Sequence, residues 1–191
     1  MKLARGTLSI LIGVHQFLWH PLLLLIAWSK LYGIPRDVRV YVAFIVHDLG
    51  YWGKAELDSP DGETHPELGA RVMAHLFGAD WGEFSLYHSR FYAKRHNAPF
   101  SRLCVADKYA LALEPRWFYL LRARASGELE EYMSIARAAH VGKGKYAGER
   151  GEDFISAEQW FDGLKRWTLE WTAANRDAGT PEPSARETRQ A

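Results

Sequence analysis

Residues 36–53 of the chain read RDVRVYVAFIVHDLGYWG. This stretch is apolar with helical spacing up to the doublet His47-Asp48, and glycines follow the doublet, so it predicts a helix that ends there. A carboxylate buried without a partner is costly, so Asp48 beside His47 implies either a bound cation or hydrogen bonds. The side chains expected on the buried face of this helix are those of Val38, Val42, Ile45 and Val46.

Helical patterns continue on both sides of this stretch, and neither a strand pattern nor an internal repeat stands out. Pro21 suits the first turn of a preceding helix, which leaves His20 at its start, and Gly33 and Pro35 end that helix. The fold class is therefore predicted to be all-α. Later helices are expected over residues 65–77, 81–95, 101–113, 117–124, 128–140 and 157–174.

Composition favours one folded domain. The chain has 191 residues, of which 48% are hydrophobic and 14% aromatic, so residues 1–174 are expected to form a single domain with a large core. Residues 175–191 are rich in Pro, Arg, Glu and Thr, which predicts a disordered tail. In the helix before it, Trp160, Leu164, Trp167 and Trp171 fall at helical spacing, which is typical of core residues.

Charge, cysteine content and the N-terminal segment limit the partners and the cellular compartment that we expect for this chain. The formal charge of +1 gives no global field for nucleic acid or an acidic membrane. The single thiol, Cys104, cannot form an internal disulfide and lies between apolar neighbours, so we expect a buried residue. The apolar run from Leu8 to Val14 is interrupted by polar residues before it reaches the roughly 20 residues of a membrane span. We therefore expect a buried helix there and a cytoplasmic protein.

Helix lengths bring two histidines together. His20 lies 12 residues before Tyr32, and Arg36 lies 11 residues before His47. At about 1.5 Å per residue, two antiparallel helices of these lengths bring His20 level with His47. His15 would overshoot by about 7 Å on the same rise, so it is expected to be a nearby structural or outer-sphere residue.

Three further residues extend this set. Asp107 lies on an apolar helix face, where a carboxylate needs a partner such as a metal or a buried arginine. His65 begins a helix after an acidic loop, and His88 follows Tyr87. Imidazoles and carboxylates together suit borderline divalent ions such as Mn, Fe, Co, Ni or Zn. Each histidine alone is more often structural, so the hypothesis rests on the set.

The order His20 … His47-Asp48 … His65 … His88 … Asp107 resembles the H…HD…H…H…D pattern of HD-domain proteins. The segment 65–70 (HPELGA) is similar to a helix start in the HD-GYP branch, and Tyr87-His88-Ser89 stands roughly where that branch has its HHE motif. No GYP tripeptide follows, so cyclic-di-GMP specificity is not carried over. The resemblance covers about residues 15–115 and implies an HD-domain helical bundle, to which the later helices would be additions.

The resemblance also implies a metal centre. A first metal would be held by His20, His47, Asp48 and Asp107, and a second would be completed by His65 and His88, with Asp48 bridging the two. Two divalent ions are thus expected, although His65 and His88 could instead contact a substrate phosphate. Relatives that hydrolyse phosphate esters often carry a lysine after the doublet. Lys54 is the counterpart, displaced by the insertion of Tyr51-Trp52.

Basic residues cluster between His88 and Lys108. Arg90 and Lys94 are spaced to act on one helix face, and with Arg95, Arg102 and Lys108 they suit a ligand that bears phosphate. A solvated helix face explains the same cluster equally well. Residues 142–148 (GKGKYAG) are glycine-rich but lack the strand–loop–helix context of a nucleotide loop, and a plain loop is expected.

Other side chains near the doublet could have either a functional or a structural role. The acidic loop could supply a general acid or base, although helix capping and solvation are the expected roles of Glu56, Asp58, Asp61 and Glu63. Aromatic residues could wall a pocket and stack on a base, although core packing is the default for Tyr51, Trp52, Tyr87, Phe91 and Tyr92.

The function expected from these observations is metal-dependent phosphohydrolysis of a small phosphorylated substrate, for which a nucleotide is one candidate. Asp48, Lys54, Arg90 and Lys94 are the predicted catalytic residues beside the metal ligands. One alternative is a di-iron oxygenase that cleaves a C–C or C–P bond on the same ligand set. Another is a non-catalytic HD module that binds a nucleotide or a partner protein.

Overall fold

The computed structural model describes residues 3–140 and 156–184. Within these residues the fold is all-α, as predicted, and a single isolated bridge joins Ser101 to Thr180. The helices are α1 (Arg5–Ile12), α2 (Trp19–Tyr32), α3 (Val38–Val46), α4 (Pro66–Phe77), α5 (Ala79–Leu86), α6 (Arg90–Arg95), α7 (Arg102–Leu113), α8 (Arg116–Ser126), α9 (Glu128–His140) and α10 (Ala157–Asn175). Short 3-10 turns lie at Leu49–Tyr51 and Gly62–Thr64.

The predicted helix 81–95 is wrong in one respect, because it forms two helices. α5 ends at Leu86 and α6 begins at Arg90, with His88 in the connection. The carbonyl of Tyr87 accepts a hydrogen bond from the backbone N–H of Ser101, 3.0 Å away, instead of continuing the helix. This break allows the imidazole of His88 to turn inwards.

The predicted face of α3 is only partly right. Val46 is buried and Val42 is half-buried, but Val38 and Ile45 are exposed. The structure instead buries the positions at helical spacing before His47, which are Val40, Ala43 and Phe44.

Among the described residues, two large buried clusters form most of the interior, in addition to two small ones. The first joins α2, α3, α4, α5 and α7 around side chains such as Trp28, Phe44 and Trp81. The second joins α8, α9 and α10 around Tyr119, Trp160 and Phe161. In α10, Trp160 and Leu164 are core residues as expected, whereas Trp167 and Trp171 are half-buried. Cys104 is fully buried, as predicted.

Two glycines let the start of α4 approach the end of α3. A Cβ atom at Gly69 would lie 2.6 Å from the carbonyl oxygen of Val46, and one at Gly50 would lie 2.0 Å from that of His65. Both distances are shorter than side chains tolerate, so larger residues would push the two segments apart. The absence of a side chain at these positions brings His65 close to Asp48.

The segment after α10 departs from the predicted tail. The backbone N–H of Arg102 donates to the carbonyl of Thr180 at 2.8 Å, and the backbone N–H of Thr180 donates to the carbonyl of Phe100 at 3.0 Å. The guanidinium of Arg176 donates to the carbonyl of Leu31 at 2.7 Å. The expectation of disorder from residue 175 therefore fails for residues 175–184, because the side chain of Arg176 binds the end of α2 and the backbone of Thr180 pairs with Phe100 and Arg102.

Two sequence expectations fall outside the described residues: the plain loop at 142–148 and the tail from 185 to 191. Among the helices of the described ranges, none combines the length and apolar character needed to cross a lipid bilayer.

Candidate metal centre

The doublet His47-Asp48 lies where α3 ends, and its imidazole is almost completely buried, with 1% of the His47 side chain exposed. The Nδ1–H of His47 donates to the carbonyl of Phe44 at 3.0 Å. Its Nε2 therefore faces the carboxylate of Asp48, 3.1 Å from Oδ2. Such a backbone contact fixes the orientation of the ring, as it commonly does for histidines that bind metals.

His20 and Asp107 meet the doublet from two other helices. His20 is at the start of α2, and its Nε2 lies 3.3 Å from the Nε2 of His47 and 3.5 Å from Asp48 Oδ2. Asp107 lies on α7, with Oδ1 3.0 Å from the Nε2 of His20 and 3.8 Å from that of His47. The predicted convergence of these side chains is thus present in the structure.

His65 and His88 form a second group with the same aspartate. The Nε2 atoms of His65 and His88 lie 3.6 Å and 3.4 Å from Asp48 Oδ1, and 3.3 Å from each other. Their Nδ1 atoms contact the carbonyls of Gly62 at 2.9 Å and Ser85 at 2.6 Å. Ring orientation is therefore fixed in the same way as at His47.

These residues form two groups whose ligand atoms could hold metal ions: His20, His47, Asp48 and Asp107, and Asp48 with His65 and His88. Asp48 belongs to both, and its two oxygens divide between them. Oδ2 faces His20 and His47, whereas Oδ1 faces His65 and His88. A carboxylate in this position can bridge two cations.

The cluster is strongly charged without metal. Burial alone would lower the pKa of His47, but the carboxylates of Asp48 and Asp107 outweigh burial and raise this pKa to about 10. Burial lowers the pKa of His65 to about 3, although Asp48 opposes this shift. Burial favours neutral carboxyls, yet the facing histidines hold the pKa values of Asp48 and Asp107 well below their usual range. Because metal ligands must be deprotonated, a cation bound here would replace the proton that the carboxylates stabilise on His47.

A cavity of about 440 Å³ opens beside the cluster, and His20, Asp48, His65, His88 and Asp107 form part of its wall. Arg90, Lys94 and Lys108 also line it. The side chains of Arg90 and Lys108 contact the ring of Trp171, at 5.4 and 5.7 Å from its centre. Of the predicted basic cluster, these three residues lie beside the metal centre. Arg102 contacts Tyr32 and Glu182 instead.

Lys54 differs from its predicted position. Its Nζ lies 2.6 Å from Asp61 and donates to the hydroxyl of Thr64 at 2.8 Å. The side chain thus ties together the loop before α4 and does not reach the cavity wall. The extra residues Tyr51-Trp52 separate Lys54 from the doublet, and the predicted catalytic role of Lys54 is not supported.

Some of the aromatic and acidic residues that were considered near the doublet line the cavity, and the others lie elsewhere. Tyr51 and Phe91 line the cavity, and Tyr51 stacks on His65 with ring centres 4.0 Å apart. Asp58 and Glu63 also line it. Trp52 is exposed, Tyr87 packs against His96, and Tyr92 donates to Glu67.

Sequence reasoning missed Glu128, a fully buried carboxylate at the start of α9. It lies 3.2 Å from the Nδ1 of His15, whose ring centre is 5.9 Å from that of His20. Burial lowers the pKa of His15, but the contact with Glu128 and the charge of Asp48 reverse this, so the pKa is raised. The predicted outer-sphere position of His15 agrees with this geometry. No local signal separates Glu128 from an ordinary acidic helix start.

Comparisons with protein-family models, with curated proteins and with solved structures found no match to this chain.

Proposed function

We propose that this chain is an HD-domain metal-dependent phosphohydrolase with a dinuclear centre. The observation that carries the proposal is the position of the two carboxylate oxygens of Asp48, which face different pairs of histidines. Three imidazoles hold their Nε2 atoms towards this carboxylate through backbone contacts at Nδ1, which is the donor arrangement that borderline divalent ions require.

Divalent cations, when bound, polarise phosphoryl oxygens and lower the pKa of water so that hydroxide forms near neutral pH. The chain contributes the remaining requirements. Asp48 and the surrounding histidines fix the spacing of the two groups, and the burial of His47 and His88 excludes bulk water from that side. Asp107 is more open, with 26% of its side chain exposed, on the side where the cavity lies.

The cations in the cavity wall favour a substrate that carries a phosphate group over an uncharged one. Arg90, Lys94 and Lys108 line the same cavity as Asp48 and Asp107. Phosphate carries negative charge that such side chains neutralise in the ground state and as charge develops on the leaving oxygen. In this proposal Arg90 and Lys94, which were predicted from the sequence to be catalytic residues, bind the substrate phosphate together with Lys108.

Metal analysis of freshly purified protein tests the proposal first. We expect close to two ions of Mn, Fe, Co, Ni or Zn per chain, and metal-dependent release of phosphate from p-nitrophenyl phosphate. Asp48→Asn should lower both metal content and phosphate release, because both groups lose their shared carboxylate. Asp80→Asn, at an exposed position on α5, is the matched control and should retain both.

Two results would replace the proposal. Iron together with oxygen uptake, and no phosphate release, would indicate the oxygenase alternative. Purified protein without metal that releases no phosphate, even after incubation with each ion, would indicate a binding module.

A further inference from the structure

The cavity beside the metal centre extends well beyond the charged residues. Its wall includes apolar and aromatic side chains from α7 to α10, among them Leu111, Tyr119, Tyr132, Ala136, Trp160 and Leu164. All six belong to the second buried cluster or pack against it. We call this part of the wall the apolar chamber. The cavity therefore joins a cationic, metal-binding wall to an apolar one.

The volume is too large for a phosphate group alone. At about 440 Å³, the cavity lies in the range of pockets that enclose whole small molecules, roughly 300–1,000 Å³. A phosphate next to the metal groups would leave room for an organic group of several carbon atoms. The chamber determines what this organic group can be.

Two polar side chains in the cavity wall, those of Tyr132 and Glu114, are bound to protein partners. The hydroxyl of Tyr132 donates to Glu128 at 3.2 Å. Glu114 accepts from the indole N–H of Trp19 at 3.1 Å and forms an ion pair with Arg122. Sugar hydroxyls or base edges placed here would compete for these groups or lose hydrogen bonds, which is costly for a buried polar group. An apolar group would lose nothing and would gain from burial.

We propose that the substrate is a phosphate monoester of an alkyl or aryl alcohol, with its phosphate at the metal centre and its apolar group in the chamber. This inference rests on the proposed function. In the reaction, water adds to phosphorus and the bond from phosphorus to the ester oxygen breaks. The alcohol leaves after it takes up a proton, and inorganic phosphate is the second product.

Chain length provides the first test. With the metal-loaded protein, kcat/KM for unbranched alkyl phosphates from ethyl to octyl should rise by about fourfold for each added methylene until the chamber is full. Nucleoside monophosphates should be poorer substrates than the best alkyl phosphate. Equal rates for ethyl and octyl phosphate, or a preference for nucleotides, would overturn the assignment.

Filling the chamber provides the second test. Ala136→Phe adds a ring at the chamber wall, so the ratio of kcat/KM for octyl over ethyl phosphate should fall by about tenfold. Ser134→Phe adds the same ring at an exposed position of α9 and should leave the ratio unchanged. Leu164→Ala enlarges the chamber and should move the optimum to longer chains, which keeps the test valid where Ala136→Phe does not fold. An unchanged ratio in Ala136→Phe together with an unchanged optimum in Leu164→Ala would contradict the proposal.

Binding separates this inference from the proposed function. Alkyl phosphonates resist hydrolysis, and their affinity, measured by calorimetry, should rise with chain length in wild type and lose this dependence in Ala136→Phe. Such binding without phosphate release from any ester would overturn the hydrolase proposal and support the apolar ligand. Phosphate release without any effect of chain length on rate or affinity would overturn only the apolar ligand.

Discussion

At the scale of single residues, one local device recurs in the cluster. His47, His65 and His88 each place Nδ1 against the carbonyl three residues earlier, at Phe44, Gly62 and Ser85. Each histidine directly follows, or lies close behind, a turn of helix. Because the contact is local, ring orientation depends little on the rest of the fold. The cluster therefore has donor atoms in position before any cation binds.

The second metal group depends on two of these histidines. We expect His65→Ala and His88→Ala each to lower the metal content from two ions per chain towards one, since Asp48 would keep only one imidazole in that group. Elemental analysis after gel filtration measures this. His75→Ala, exposed on α4, is the control and should bind as much metal as wild type. Unchanged metal content in both cluster variants would show that the second group holds no ion.

The raised pKa of His47 predicts how the stability of metal-free protein depends on pH. A group whose pKa is raised from 6.5 to about 10 on folding stabilises the fold fully below pH 6.5 and loses that contribution as pH rises to 10. The urea midpoint of chelator-treated protein should therefore fall over this interval.

Metal-loaded protein should show a weaker fall between pH 6.5 and 10, because a cation replaces the proton on the cluster. His47→Gln removes the titrating group, so its metal-free form should also show a weaker fall than metal-free wild type. Parallel curves for metal-free and loaded wild type would contradict the link between His47 and this pH dependence.

At the scale of elements, the approach of α4 to α3 decides whether the two metal groups share Asp48. Gly69→Ala would place a Cβ atom 2.6 Å from the carbonyl of Val46 and force the helices apart. We expect a loss of roughly 1–3 kcal/mol in the free energy of unfolding and less metal in the group of His65 and His88.

Chemical denaturation and elemental analysis check these two effects of Gly69→Ala. Arg71→Ala, an exposed position on the same helix, should change neither stability nor metal content appreciably. If Gly69→Ala matches Arg71→Ala in both measurements, the close approach has no bearing on the metal centre.

Element positions were easier to predict than element faces. Residues 40–46 are apolar apart from the hydroxyl of Tyr41, so the hydrophobic pattern alone does not select a single face, and Val38 and Ile45 were placed inwards wrongly. Spacing counted back from His47 leads to the buried residues Phe44, Ala43 and Val40. The break at His88 has a different cause, because the hydrogen bond from Ser101 to Tyr87 joins two separate elements and helical periodicity does not reveal it.

At the scale of the whole molecule, Glu128 links the second buried cluster to the metal-binding part. Its carboxylate accepts hydrogen bonds from Ser9 Oγ at 2.7 Å, from the backbone N–H of Val14 at 2.9 Å and from Tyr132 at 3.2 Å, and it also contacts His15 and Ser126. These donors come from α1, from the connection after it and from α9. One buried side chain therefore fastens α9 to the N-terminal helix.

We expect Glu128→Ala to lower the free energy of unfolding by roughly 3–5 kcal/mol, because it leaves several buried donors without an acceptor. Thermal and urea unfolding measure the loss. Glu130→Ala removes an exposed carboxylate from the same helix turn and should cost little. Similar stability in the two variants would show that the buried contacts contribute nothing.

Helical patterns predicted the all-α fold, and helix lengths predicted the meeting of His20 with His47. The gathering of His65, His88 and Asp107 around Asp48 was expected only from the resemblance to HD-domain proteins. It did not predict the role of Glu128, which contacts residues more than a hundred positions away, such as His15. The apolar chamber was also missed, for a different reason. Its residues look like ordinary core, and only the packing of α8 to α10 shows that they face a cavity.

The bridge between Ser101 and Thr180 has a practical consequence for anyone who shortens this protein. Residues 176–184 cross back over the ends of α2 and α7 and contact Leu31, Phe100 and Arg102. His20 and Asp107 lie on these same two helices. A protein that ends at residue 175, where composition suggests that order stops, would lose these contacts. A protein that ends at Ser184 would keep them.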